Sequence, residues 1–456
     1  MPYFFPDAAS PVSISDLIRP EGFVCPCGRV HRAAPLSALE VGPGALRELP
    51  KMLDSLGIRK PYLVIGGFAM EACGKDVLEL LADRPYKLCT LPKLPRPLPN
   101  EEYLDRITEG FDPSCDMILG VGSGVINDLC KMLGKNTGLP TGIVGTAPSM
   151  DGYASNSAAM ELGGIKTSVY TDCPALILCD TLVLKDAPYD SLRSGLGDMS
   201  AKYMSIAEWK MAHLVTGEYY CDAIASLMMQ ATSAVMSNAE AIRNREETAI
   251  RAMTEGLILS GIASSFAGVS RPASSLEHSI SHLLEMFALA GGRRPALHGL
   301  QAAYGVRMGL VFYPQLLAQI PTRESCDEGF RHFDAAIWEK DMRRAFGNQA
   351  DALIKQADVE GRNTEKAQRE RSQRAIENWP LIARTLGEVA SSANLITNAL
   401  DRLEIPQAHE PELLGYTKQE ALDAFFHSRD LRARYISSSL AWDLGILDTI
   451  RFPGLN

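Results

Sequence analysis

The stretch DMILGVGSGVINDLCKMLGKNTGLPTGIVG (residues 116–145) decides the fold. DMILGVG (116–122) is an apolar run of strand length that ends among glycines. A helical pattern follows over 125–134, and PTGIVG (140–145) is a second apolar run. Strand, glycine turn, helix and strand in succession make a βαβ unit, which implies a parallel sheet. The alternation extends upstream, where PYLVIGG (61–67) and YKLCTL (86–91) read as strands, with helical stretches near 70–84 and 100–109. Downstream, IKTSVY (165–170) and ALILCD (175–180) are expected to close the α/β domain. From Ser191 strand signals stop. Amphipathic helices rich in Ala, Leu and Met follow, broken near Thr216–Gly217, Gly268–Pro272, Gly291–Pro295 and Pro406–Pro411. The expected organisation is an irregular lead-in (1–35), an α/β domain with a parallel sheet (36–188) and an all-α domain (189–456).

The 456 residues are 46% hydrophobic and 22% charged, an ordinary globular composition with room for two or three domains. Net charge is −10 without a long basic block, which argues against a nucleic-acid binder. The N-terminal MPYFFPDAASPVS has neither a basic region nor a sustained apolar run, so no secretory leader is expected. Nowhere does an apolar run reach the roughly 18 residues that a membrane span needs. Ten scattered cysteines fit reduced thiols, and the expected location is the cytoplasm. The charge-rich GRNTEKAQRERSQR (361–374) reads as a solvated helix face.

Candidate chemistry sits in a few places. In GVGSGVIND (120–128), Gly120, Gly122 and Gly124 remove side chains where a backbone can approach a phosphate. The helix that follows offers free N–H groups at its start. Val125 stands where the fingerprint G-x-G-x-x-G has its last glycine, so a bare structural turn is the competing reading. GTAPSMDGYAS (145–155) ends the next strand. Thr146 and Ser149 bring hydroxyls to the same sheet edge, and Asp151 and Ser155 follow in a loop. Local turn capping by Ser149 or Asp151 is the plainer alternative.

SRPASSLEHSISHLLEMFALAGGRRPALHGLQAAY (270–304) carries three of the eight histidines. His278 and His282 stand four apart and share one helix face. His298 opens the next helix. With Asp198 of GLGDMSAKY, a two-His, one-carboxylate set becomes available, suited to a borderline divalent metal with open coordination positions. Two core histidines and a helix cap would be the bland account. Glu277 either orients His278 or is an exposed helix residue. CPCGRVH (25–31) shows three ligand types, Cys25, Cys27 and His31. The Cys-x-Cys spacing is tighter than the usual zinc pair, so this segment reads as a turn with two ordinary cysteines.

Taken in order, GVGSGVIND, TAPSMDGYAS, GLGDMSAKY, RPASSLEHSISH and LHG resemble the sn-glycerol-1-phosphate dehydrogenases. That family belongs with the iron-type alcohol dehydrogenases, glycerol dehydrogenases and dehydroquinate synthases. The likeness runs from about Ser37 to His298, and RDLRARYISSSLAWDLGILD (429–448) and CPCGRVH look like the bacterial form. The resemblance implies a Rossmann-like dinucleotide-binding domain followed by an all-helical metal and substrate domain, the dehydroquinate-synthase-like architecture. It implies Asp198, His278 and His298 as metal ligands, for zinc or nickel, with iron a further option. It implies Gly124, Val125, Ile126, Asn127 and Asp128 along the cofactor's pyrophosphate. Thr146, Ala147, Pro148, Ser149 and Ser155 would meet the nicotinamide half. Asp151, Asp198 and His282 would touch the substrate and serve catalysis. Arg271 and Lys202, the latter four residues after Asp198, are candidates for the substrate phosphate, with an ion pair the competing role for Lys202.

The activity so implied is reversible, NAD(P)H-linked, metal-dependent reduction of dihydroxyacetone phosphate to sn-glycerol 1-phosphate, in a homodimer. A carbocycle-forming lyase like dehydroquinate synthase, a glycerol dehydrogenase and a binding protein with a degenerate site remain the alternatives. Two departures from the family pattern stand out. The first strand ends Val64–Ile65–Gly66–Gly67 without the acid that usually holds the adenosine ribose, which leaves NAD against NADP open. SSLEH (274–278) lacks the usual glycine after its first serine.

Overall fold

Residues buried on both faces of a sheet read as unbroken apolar runs, and the strands obey this. The computed structural model describes residues 3–4, 14–18, 21–32, 36–163 and 165–455. Short strands β1 (Tyr3–Phe4), β2 (Phe23–Val24) and β3 (Val30–His31) form a small sheet. The main sheet takes β4 (Ala38–Gly42), β5 (Pro61–Ile65), β6 (Lys87–Thr90), β7 (Met117–Gly122) and β8 (Thr141–Gly145). After the hairpin of β9 (Ser157–Leu162) and β10 (Ile165–Tyr170), it is completed by β11 (Leu176–Asp180). Its order is β4-β11-β8-β7-β5-β6, with every pairing parallel. Every residue of β5, β7, β8 and β11 is buried.

Helices fill the crossovers: α1 (Leu49–Ser55), α2 (Lys75–Leu80), α3 (Glu101–Glu109) and α4 (Gly124–Thr137). Leu49 and Leu53 of α1 and Val77 of α2 join Leu63, Ile65, Leu119, Val121 and Leu178 in one apolar core. Beyond the sheet come α5 (Tyr189–Thr216), α6 (Asp222–Ser237), α7 (Glu247–Ala267), α8 (Leu276–Ala290) and α9 (His298–Leu317). Further helices run to the C-terminus. Among the described residues, no helix is long and apolar enough to cross a membrane.

IKTSVY is a strand over the residues expected, but it lies outside the main sheet, pairing antiparallel with Ser157–Leu162 as a separate hairpin. Gly163, at φ +58°, supplies the left-handed residue of that turn. Five strands were not anticipated: the two-residue β1, β2 and β3 of the lead-in, and β4 and β9. ALEVG is short and carries Glu40, while SAAMEL is poor in β-branched residues.

By compactness the chain forms two units. One comprises residues 1–199 and 221–273, the other 200–220 and 274–456. Helices α6 and α7 thus group with the sheet, and α5 contributes residues to both. Within the second unit, α8 packs along α9 and against the helix Lys418–Phe426. Gly305 explains how closely: a Cβ there would lie 2.5 Å from the Glu277 carbonyl oxygen, so α9 is smooth where α8 crosses it. The helix Glu365–Glu377 exposes much of its charge, but Arg371 forms a two-pronged pair with the buried Asp443 (2.8 Å each).

Buried His427 faces two carboxylates, Asp341 at 3.0 Å and Asp430 at 3.2 Å. Burial alone would lower its pKa. The hydrogen bonds and charges of the two aspartates outweigh burial and raise it to about 9. The folded chain therefore holds a proton that the unfolded chain releases above its ordinary value near 6.5. This stabilisation is full below about pH 6.5 and is lost as pH rises through about 9. Chemical denaturation of the wild type is expected to lose about 1.4 kcal/mol per pH unit from this group between about pH 7 and 9. The His427→Gln variant should be less stable at pH 7 and should lack that slope; an identical slope in both would contradict the assignment.

Candidate active site

Three helices supply the candidate ligands. Asp198 lies on α5, His278 and His282 on α8, and His298 is the first residue of α9. Asp198, His278 and His298 each offer one ligand atom, and these atoms all lie within 4.8 Å of one another. His282 stands beside them, its ring centroid 5.8 Å from that of His298 and 6.4 Å from that of His278. Asp198, His278 and His282 are buried, and His298 is half-buried.

Burying such a set requires that its uncommitted atoms be held. Glu277 is wholly buried, and its Oε1 accepts from His278 Nδ1 at 2.9 Å and from the Ser275 N–H at 2.7 Å. With Nδ1 committed, His278 keeps Nε2 for an ion, the usual carboxylate–histidine arrangement around a metal. Of the two readings of Glu277, the orienting one holds. Gln301 ties the start of α9 to its surroundings, accepting from Ser281 Oγ (3.1 Å) and donating to the Ala296 carbonyl (2.8 Å).

Glu208 was not anticipated. Its buried carboxylate accepts from Ser275 Oγ (2.6 Å), the Leu276 N–H (3.3 Å), Tyr313 Oη (3.0 Å) and Ser437 Oγ. It thereby caps the start of α8, where the serine-rich SSLEH enters the helix. Burial, then the nearby charge of Glu277, pushes its pKa upward, and the three hydroxyls oppose that shift.

At the sheet edge, β7 and β8 pair Gly122 with Gly145, and the Thr146 N–H donates to the Gly122 carbonyl (3.0 Å). The glycine loop and the threonine turn are therefore neighbours. Gly122 is glycine for packing, because a Cβ there would meet Ile126 at 2.4 Å. Gly124 faces the Met150 side chain instead. Two residues of α4 hold the loop from inside. Asn127 Nδ2 donates to the Gly152 carbonyl (3.0 Å), and buried Lys131 donates to Gly152 (2.6 Å) and Ser157 (3.1 Å) carbonyls and to Ser155 Oγ (3.0 Å). The Asn127 amide and the Ser155 hydroxyl are thus engaged within the loop. Lys131, four residues after Asn127 on the same helix face, was overlooked in the sequence.

The loop also reaches Asp198. The Asp151 N–H donates to Asp198 Oδ2 (2.9 Å), and Asp151 Oδ2 accepts from Ser260 Oγ (2.7 Å). Ser194 Oγ donates to the Ser149 carbonyl (2.7 Å), and Gly195 admits the Pro148 carbonyl, which a Cβ would meet at 1.9 Å. Gly195, three residues before Asp198, is a close-approach residue. Arg271 and Lys202 are both buried.

The parallel α/β sheet followed by helices is the fold of the iron-containing alcohol dehydrogenases. A sequence model described as iron-containing alcohol dehydrogenase matches residues 40–188. The chain is 31% identical over 293 residues to a glycerol-1-phosphate dehydrogenase, NAD(P)+, of Halalkalibacterium halodurans, covering 63% of this chain and 73% of that one. To the enzyme of that name in Thermococcus kodakarensis it is 34% identical over 278 residues, covering 61% and 78%. In three dimensions it is similar to an alcohol dehydrogenase from Oenococcus oeni, with TM-score 0.59, 16% identity and coverage of 91% and 98%. The chain belongs to the glycerol-1-phosphate dehydrogenase family.

Two substitutions test how the site is held. Glu277→Gln should weaken divalent-metal affinity by about 10–100-fold while the protein stays folded. Gly305→Ala should force α8 from α9 and weaken it as well. Isothermal titration with zinc that gave wild-type affinity for both variants would contradict this view of the helix pair.

Proposed function

We propose that the protein catalyses reversible reduction of dihydroxyacetone phosphate to sn-glycerol 1-phosphate with NADH or NADPH and a divalent metal. The observation that carries this reading is the convergence of Asp198, His278 and His298, with His282 alongside, in a chain whose relatives are named for that reaction. The donor set fits an ion. It has two imidazoles and one carboxylate, one imidazole is already oriented by a buried acid, and a protein ligand count of three leaves a position open. Zinc and nickel both suit it. When bound, such an ion supplies Lewis-acid stabilisation of the carbonyl oxygen, and the nicotinamide supplies or accepts the hydride.

The chain's own residues do the rest. Gly124 to Asp128 open α4 along the pyrophosphate; Gly124, Val125 and Ile126 offer first-turn N–H groups to it, whereas the Asn127 N–H is bonded to the Ser123 carbonyl (3.1 Å). Thr146 to Ser149 and Ser155 line the turn for the nicotinamide half. The Asp151 N–H fixes one oxygen of Asp198, and Asp151 and His282 face the substrate. His282 holds a substrate hydroxyl and passes a proton to or from it. Arg271 and Lys202 are the candidate partners of the phosphate.

Cofactor choice turns on the end of β5. Gly67 packs on Pro92 and Lys93, whose backbone would lie 2.5 Å from a Cβ, whereas at Gly66 the nearest atoms are side-chain carbons of Ile126 (3.3 Å) and Ala69 (3.7 Å). An acid is tolerable at Gly66 alone. Next to this corner, the Arg96 guanidinium lies over the exposed Phe68 ring at 5.1 Å, a cation within reach of a 2′-phosphate.

Metal-stripped protein given zinc or nickel should oxidise NADH or NADPH with dihydroxyacetone phosphate and yield sn-glycerol 1-phosphate. No net cofactor oxidation under any of these conditions would sink the reading. His298→Ala should lower kcat/KM by roughly 100-fold or more and remove the active-site metal. Gly66→Asp should raise the preference for NADH over NADPH by roughly tenfold or more, read as the ratio of kcat/KM values. An unchanged ratio would place the ribose contact elsewhere.

A further inference from the structure

The lead-in motif CPCGRVH, read in sequence as an ordinary turn, meets a fourth partner in the fold. Cys25 and Cys27 lie in the loop between β2 and β3, and His31 ends β3. The loop closes through Gly28 N–H to the Cys25 carbonyl and Cys25 N–H to the Arg29 carbonyl (3.0 Å each), with Gly28 at φ +85°. Cys221, 196 residues after Cys25, stands at the N-cap of α6 and packs into the same point. The measured separations are 3.6 Å for Cys25 Sγ to Cys221 Sγ, 3.4 Å for Cys27 Sγ to His31 Nε2 and 3.6 Å for Cys221 Sγ to His31 Nε2. Ligand atoms of all four residues lie within 4.8 Å of one another.

These lengths match three of the six edges of a ligand tetrahedron, and the other three are within 4.8 Å. With Zn–S near 2.3 Å and Zn–N near 2.05 Å, tetrahedral geometry places two sulfurs about 3.8 Å apart and sulfur and nitrogen about 3.6 Å apart. The imidazole is prepared for that role, because His31 Nδ1 lies 2.9 Å from the Phe266 carbonyl oxygen, to which it can only donate. Nε2 is then the lone-pair nitrogen and faces the sulfurs. Cys25, His31 and Cys221 are buried, and Cys27 is exposed. Phe23 and His31 both pack on the Phe266 ring.

We propose that Cys25, Cys27, His31 and Cys221 form a second, structural metal site that takes zinc. Three thiolates and one imidazole fill a four-coordinate shell and leave no position for substrate, unlike the Asp198 set. Zinc binding displaces the three thiol protons and ties the β2–β3 hairpin to α6 and α7, within one compact unit. Sulfur-rich donors also separate the two sites chemically: the Cys set selects a softer, thiophilic environment, the Asp–His–His set does not. A Cys25–Cys221 disulfide is the rival outcome. It would need the sulfurs to close to about 2.05 Å and would give Cys27 and His31 no part.

The test uses full-length protein purified reduced and reconstituted with cobalt(II). A sulfur-to-cobalt charge-transfer band in the near ultraviolet reports this site alone, because the Asp198–His278–His298 set has no sulfur. The band should appear in wild type and persist in His298→Ala, which should also retain about one zinc per chain. It should be lost or strongly reduced in Cys221→Ser. Exposed Cys27→Ser is the milder variant, expected to bind zinc at least tenfold more weakly and to lower Tm. X-ray absorption of the zinc in His298→Ala should show Zn–S scattering near 2.3 Å. Absence of the band in folded wild type, oxygen and nitrogen scattering alone, or a Cys25–Cys221 disulfide in freshly purified protein would each overturn the proposal.

Discussion

Helix α8 can lie against α9 because Gly305 has no side chain, and the candidate active site depends on that contact. Any Cβ at this position would press on the Glu277 backbone, and Glu277 is the residue that orients His278. One close approach therefore sets two things at once. It brings the helix bearing His278 and His282 beside the helix that begins at His298. It also places a buried carboxylate where it commits one nitrogen of His278 and leaves the other for an ion. Glu208 secures the start of the same helix with a fan of hydroxyls and one N–H. Such a site is preorganised before any ion or substrate arrives.

The sheet contributes through a different constraint. Pairing of Gly122 with Gly145 sets the glycine loop beside the threonine turn. Asn127 and Lys131 then hold the following loop from below, and Asp151 extends it to Asp198. Lys131 spends its donors on two carbonyls and a hydroxyl, and burial draws its pKa down from the usual lysine range. In this position it braces the loop.

Much of this was legible in the sequence because the signals were local. Strands β5, β7, β8 and β11 are continuous apolar runs, and the His278–His282 spacing of four residues announces a shared helix face. Asp198 was legible only through its motif. What escaped was held by long-range partners. Glu208 works on Ser275, 67 residues away, and Cys221 joins residues 190 and 196 positions earlier. A buried polar residue looks the same as an exposed one until its partner is known. Strand β4 escaped because Glu40 interrupts its apolar pattern, and β9, the partner of the strand read at 165–170, because SAAMEL is only half-buried and poor in β-branched residues.

The central claim is that Asp198, His278 and His298 hold the catalytic ion. An anomalous difference map, recorded at the metal edge from crystals of the reconstituted, active enzyme, tests it most directly. The account predicts a peak within about 2.0–2.2 Å of an Asp198 carboxylate oxygen, of His278 Nε2 and of a His298 ring nitrogen. An active crystal with no anomalous density among these three residues would contradict it.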